Sequence, residues 1–185
     1  EARRRTTRVK LVVLDRDGTI NQDSDQYIKS PAEWKPIKGS LEAIARLTQA
    51  GHRVVVATNQ SGIARGLFDM TALNAIHDAM QRAVQQAGGR IDAVFFCPHA
   101  ADAACECRKP RPGMLLEIGR RLNAPLEDVP VVGDALRDLQ AAAAVGARPV
   151  LVLTGKGAQT RAAGGLPPGT EIFPDLAAFA AHHAP

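Results

Sequence analysis

Val9-Lys-Leu-Val-Val-Leu-Asp-Arg-Asp-Gly-Thr19 is an almost unbroken apolar run that ends abruptly in two carboxylates, Asp15 and Asp17. Val and Leu in succession, without polar alternation, form the pattern of a parallel strand buried on both faces. In open parallel sheets flanked by helices, ligands bind beyond the carboxyl ends of the strands, so this run delivers both acids to the edge where chemistry is done. A plainer reading exists, because Asp-x-Asp-Gly also occurs in ordinary turns, where Asp bonds its own backbone and Gly tolerates positive φ. A calcium loop is excluded by register: counted from Asp15, Gly18 stands fourth rather than sixth, and Gln26 occupies the place of the bidentate Glu.

Working outward, residues 20–38 read as a polar loop broken by Pro31 and Pro36. Ser40 then caps a helix with Ala43, Ile44, Leu47 and Ala50 at helical spacing, and Gly51 stops it. A second buried strand spans 53–58 and ends in Thr58, followed by a loop with two glycines at 59–66. Thr71 caps a helix carrying Leu73, Ile76, Met80 and Val84, and a third strand covers 92–97. Pro112 opens a helix with Met114, Leu115, Ile118 and Leu122, whose last turn holds Arg120 and Arg121 at the negative pole. A fourth strand, 129–132, runs into Gly133-Asp134. An Ala-rich helix at 136–145, a fifth strand at 149–153, a loose glycine-rich excursion and a closing helix near 175–183 complete the chain.

Five strands alternating with helices predict an α/β fold with a doubly wound parallel sheet. Polar groups punctuate the strand ends at Asp15, Asp17, Thr58 and Asp134, and such ends can converge on one crevice. Two carboxylates with a third from another strand make a hard oxygen site suited to Mg²⁺.

At 185 residues the chain fits one domain, 1–185, and 45% hydrophobic with 23% charged residues is the composition of a globular protein. The formal charge of +4 does not describe a nucleic-acid face. Arg3, Arg4, Arg5, Arg8 and Lys10 supply the surplus, so residues 1–8 read as a solvated basic tail and the remainder is balanced. No apolar run reaches bilayer length, and the Arg-rich start is not followed by the apolar segment of a secretory signal. The expectation is a cytoplasmic monomer that engages neither membrane nor nucleic acid.

All three cysteines fall in one short stretch, Cys97-Pro-His99 and Cys105-Glu-Cys107. Together with His99 they form a Cys₃His set, the ligand type of a structural Zn²⁺ site without an open position. A disulfide is the competing reading, disfavoured in a reducing compartment.

Asp15-Arg-Asp-Gly-Thr19, Thr58-Asn59, Lys109 and Gly133-Asp134, each at a predicted strand end and in this order, resemble the motifs of the haloacid dehalogenase superfamily of phosphatases. The resemblance spans roughly residues 9–155. It implies that Asp15 is the nucleophile that becomes an aspartyl phosphate and that Asp17 is the acid/base. It further implies Mg²⁺ held by Asp15, the Asp17 backbone carbonyl and Asp134, with Thr58 and Lys109 on the transferring group. About 40 residues separate Asp17 from Thr58, filled by one loop and one helix, so no cap domain fits.

Among capless members, the segments Thr58-Asn-Gln-Ser-Gly-Ile-Ala-Arg-Gly66 and Cys107-Arg-Lys-Pro-Arg-Pro-Gly-Met114 look like those of the D-glycero-D-manno-heptose 1,7-bisphosphate 7-phosphatases. The similar histidinol-phosphate phosphatases are the alternative. The first reading implies a sugar phosphate substrate and a place in the making of nucleotide-activated heptose for lipopolysaccharide. Asp23, Asn59, Gln60, Ser61, Arg65, Arg108 and Lys109 are the expected substrate contacts, and Arg108 suits bidentate phosphate binding. Because Cys107 precedes Arg108 and Lys109, a Zn²⁺ that fixes the loop would fix both cations. A noncatalytic, zinc-stabilised binding module is a third reading, but it leaves Asp15, Asp17 and Asp134 without a purpose.

Overall fold

The computed structural model describes residues 9–185; the expected basic tail at 1–8 lies outside the described residues. Six parallel strands form one sheet: β1 (Leu11–Leu14), β2 (Arg53–Asn59), β3 (Ala93–Cys97), β4 (Pro130–Gly133), β5 (Arg148–Val152) and β6 (Glu171–Phe173). Their order is β3-β2-β1-β4-β5-β6. The helices are α1 (Ser40–Gln49), α2 (Met70–Gln86), α3 (Gly113–Arg121), α4 (Leu136–Ala144), α5 (Gly157–Ala163) and α6 (Leu176–His183).

Every residue of β1 is buried because the strand sits mid-sheet with helices on both sides. Val12 and Leu14 point into a core shared with Ile44 and Leu47 of α1, Ile76 and Met80 of α2 and Phe179 of α6. Leu11 and Val13 face the opposite layer, against Met114, Leu115 and Ile118 of α3 and Ala141 and Ala142 of α4. This two-sided packing is why the opening stretch lacks polar alternation.

Strand order reverses direction between β1 and β4, neighbours that register Val13 with Val131 and Leu14 with Val132. At such a switch point the connections leave toward opposite faces and open a crevice at the carboxyl edge. Asp15 and Asp134 both emerge there.

Three local expectations are corrected. A sixth strand and an additional helix, α5, occupy the supposed loose excursion; β6 has only three residues, and α5 reads Gly-Ala-Gln-Thr-Arg-Ala-Ala without an apolar stripe. Asp69, not Thr71, caps α2, its side chain accepting from Ala72 N. Gly39 at φ +88° is the N-cap of α1, which frees Ser40 to donate its hydroxyl to Thr19 O at 2.9 Å. Among the described residues, α1 with one short 3₁₀ turn at Pro31–Glu33 lies between β1 and β2, and α2 lies between β2 and β3, so the capless reading stands. No helix of the described residues is long and apolar enough to cross a membrane.

Candidate active site

Lys109 arrives from the segment after β3 and is buried beneath the carboxyl edge, 3% exposed, a position an ammonium tolerates only when paired. Its Nζ donates to Asp15 Oδ1 at 2.9 Å and to the Ala57 carbonyl at 2.7 Å, and lies 2.7 Å from Asp138 Oδ1. Those two carboxylates hold it charged against burial, raising its pKa. Its backbone is tied to the end of β2, because Asn59 Oδ1 accepts from Lys109 N at 3.0 Å and Asn59 Nδ2 donates to Lys109 O at 3.1 Å.

Asp138 is absent from the sequence-based site. It stands at the third position of α4, where its Oδ2 accepts from Ala135 N at 3.1 Å while its other oxygen faces Lys109. The signal was Asp134-Ala-Leu-Arg-Asp138: a second acid one turn after the strand-end acid, inside the first turn of a helix, where capping chemistry favours carboxylates.

Oxygen atoms of Asp15, Asp134 and Asp138 lie within 4.8 Å of one another, and all three residues are buried. Burial and mutual repulsion push Asp15 up to about 6, against the pull of Lys109, and Asp134 up to about 8. So much buried negative charge asks for a cation, and an all-oxygen set suits Mg²⁺. The site is shaped closely around Asp134: its Oδ2 accepts from Lys156 N at 2.9 Å, and a Cβ on either Gly18 (φ +82°) or Gly155 (φ +55°) would overlap that oxygen. Gly18→Ala combines a left-handed backbone with this overlap. The expected outcome is at least tenfold weaker Mg²⁺ activation, checked by titrating activity with the metal.

Asp17 turns away from this cluster. Its carboxylate accepts from Arg16 Nε at 2.9 Å and Nη2 at 3.2 Å, from Asn21 Nδ2 at 3.0 Å and from Gln60 Nε2 at 3.1 Å. The Asp17 carboxylate is thus not part of the oxygen cluster formed by Asp15, Asp134 and Asp138.

A cleft of about 220 Å³ opens above these groups. Of the expected residues, Asp15, Asp17, Thr58, Asp23, Asn59, Gln60, Ser61 and Arg108 line it; Lys109 and Asp134 sit below. Arg65 is not on its wall and instead places its guanidinium 5.8 Å from the ring centroid of Tyr27, which is. Lys156 joins the wall and pairs with Asp23 at 3.7 Å. It went unread because the segment after the fifth strand looked merely loose, although its position past a carboxyl strand end was the available clue. Arg137 lines the cleft as well, and Trp34 is an anchor in the core.

Beside β3, the Cys₃His set is assembled, with its ligand atoms within 4.8 Å of one another. Cys97 Sγ lies 2.9 Å from Cys107 Sγ and 3.9 Å from Cys105 Sγ, and His99 Nδ1 is 3.3 Å from both Cys97 and Cys107. All three thiols are free rather than disulfide-bonded. Arg111 bonds the Cys105 carbonyl, and Gly113 N donates to Glu106 O at 2.9 Å, binding the loop to the start of α3. The donor set and its convergence suit tetrahedral Zn²⁺.

A buried carboxylate paired with a buried lysine and a hard-oxygen cluster at the switch point of a parallel sheet suit a phosphate-handling hydrolase. The model of the HAD-hydrolase-like family matches residues 106–179. The D-glycero-β-D-manno-heptose-1,7-bisphosphate 7-phosphatase of Bordetella bronchiseptica is 62% identical over 172 residues, covering 93% of this chain and 96% of that protein. The Pseudomonas aeruginosa protein of the same name is 54% identical over 170 residues, 92% and 95% of the two chains. A crystal structure of the B. bronchiseptica D,D-heptose 1,7-bisphosphate phosphatase with magnesium and phosphate superposes with a TM-score of 0.93 at 60% identity, covering 95% of this chain and 98% of that one. The chain therefore belongs to the haloacid dehalogenase-like hydrolases and, among them, to the heptose 1,7-bisphosphate phosphatase family.

Proposed function

We propose that this protein removes the 7-phosphate of D-glycero-β-D-manno-heptose 1,7-bisphosphate, in the biosynthesis of nucleotide-activated heptose for lipopolysaccharide. The observation that carries the reading is likeness over nearly the whole chain to phosphatases of that name. Asp15, directed by Lys109, attacks phosphorus in line. A P–O bond forms to the carboxylate as the bond to the sugar oxygen breaks, and Asp17 gives that oxygen its proton. Water then attacks the aspartyl phosphate, Asp17 takes the proton, and phosphate and the Asp15 carboxylate are released. Mg²⁺, held by Asp15, Asp134 and the Asp17 carbonyl, would neutralise phosphoryl charge and reduce repulsion between two anions. Thr58 donates to a phosphoryl oxygen, and Asn59, Gln60, Ser61, Asp23 and Arg108 bound the sugar and its second phosphate. Arg65 serves indirectly, through Tyr27.

A comparison of kcat/KM for the heptose bisphosphate and histidinol phosphate tests the substrate. A preference for the former is expected; a strong preference for histidinol phosphate would overturn the assignment. Cys97, His99, Cys105 and Cys107 hold structural Zn²⁺ in this reading, and the metal's contribution is to fix Arg108, since the Lys109 backbone is tied separately to Asn59. Removing zinc should lower kcat/KM for the sugar phosphate even at saturating Mg²⁺, measured alongside metal content; an unchanged kcat/KM in zinc-free protein would end the idea.

A further inference from the structure

Arg16 separates the two motif carboxylates and is itself 0% exposed, the largest fully buried side chain among the described residues. A guanidinium stays charged at any pH relevant here, so complete burial demands that its donors be met. Nε and Nη2 go to Asp17, as described. Nη1 goes to His77 Nε2 at 3.1 Å, from the middle of α2 and 61 residues away in sequence. Arginine can only donate, so His77 must accept through Nε2 and carry its proton on Nδ1. Burial and the adjacent Arg16 charge depress His77 to about 4, which keeps it a neutral acceptor around neutral pH. Its ring also stands 6.5 Å from that of Phe96 on β3, tilted by 53° to it.

We infer that His77 is a positioning residue for the reaction: by holding the far end of the Arg16 guanidinium, it fixes the plane in which Arg16 grips Asp17 and so aims the acid/base carboxylate at the leaving oxygen. Arg16 pinned at both ends cannot swing, and its charge stabilises the carboxylate left behind when Asp17 gives up its proton. Four N–H contacts from three side chains occupy the lone-pair directions of Asp17, so one must yield for proton transfer. Gln60 is the donor with another acceptor at hand, Thr58 Oγ1 at 2.9 Å. The inference rests on the proposed role of Asp17.

The test compares leaving groups. A sugar alkoxide needs a proton to depart, whereas 4-nitrophenolate does not, and kcat/KM covers only the steps up to departure. His77→Leu should lower kcat/KM for the sugar phosphate by about tenfold or more, within the range general acids supply, while 4-nitrophenyl phosphate changes by less than about threefold. His77→Gln, whose amide oxygen can accept from Arg16, should recover most of the difference. Equal losses on both substrates, or none on the sugar phosphate, would overturn the inference; if His77→Leu does not fold, His77→Ala serves the same comparison. Asp17→Asn is the control. If it shows the leaving-group contrast and the His77 variants do not, the positioning role fails alone; if it shows none, the acid/base assignment fails first.

Discussion

Asp15→Asn should abolish turnover, with kcat falling by roughly 10³-fold or more while the fold is retained. The amide is nearly isosteric but cannot form the covalent acyl phosphate, so no alternative nucleophile with the same line of approach remains. Retention of structure is expected because the substitution removes one member of a crowded anionic cluster, where burial already pushes Asp15 up to about 6. Neutralising a carboxylate under those conditions relieves repulsion with Asp138 and Asp134. A thermal melt within a few degrees of the unsubstituted protein, together with loss of phosphate release from both sugar and aryl phosphates, is the expected pair of results. Substantial residual phosphatase activity would remove Asp15 from the mechanism.

Lys109→Met should be costly twice over. The ammonium is the shared counterion of Asp15 and Asp138 at 2.9 and 2.7 Å, and all three groups are buried. Deleting it leaves two facing carboxylates uncompensated, and breaking a buried pair in this way typically costs about 3–5 kcal/mol. The loss is partly met by protonation, so the variant should be more stable relative to its parent at low pH than at neutral pH. Catalytically, removal of one preorganised cation from a developing phosphoryl charge costs on the order of 10²–10³ in rate. Chemical denaturation at two pH values and single-turnover kinetics separate the effects. A variant as stable and active as the parent would contradict the geometry of the buried cluster.

Most of the strands were legible because hydrophobic runs ending in Asp or Thr state both burial and direction. β1, β2 and β4 could hardly be read otherwise. β6 could not be found this way, since a three-residue edge strand carries too little periodicity to rise above the Gly164-Gly-Leu-Pro-Pro-Gly169 segment before it. Asp15 and Asp134 were visible as strand-end residues and Lys109 through the motif it shares with the superfamily, whereas Asp138 was hidden by its helix, where an early acid is ordinarily explained by capping alone. Lys156 was obscured for another reason. A basic residue's reach depends on which way its loop or helix leaves the sheet, and spacing along one chain does not encode that direction. The Arg16–His77 contact joins the turn after β1 to the middle of α2, a pairing that only the packed structure reveals.

The double hydrogen bond between Asn59 and the Lys109 backbone has a further consequence. A carboxamide that both accepts from an N–H and donates to the C=O of one residue imitates a paired strand, so Asn59 acts as one extra rung of the sheet after β3 has ended at Cys97. The two cations of the loop thus have separate moorings. Lys109 is latched to the scaffold, and Arg108 depends on the cysteine turn beside it. Damage to that turn should therefore register first as weaker substrate capture, a rise in KM, with kcat holding until the latch itself gives way.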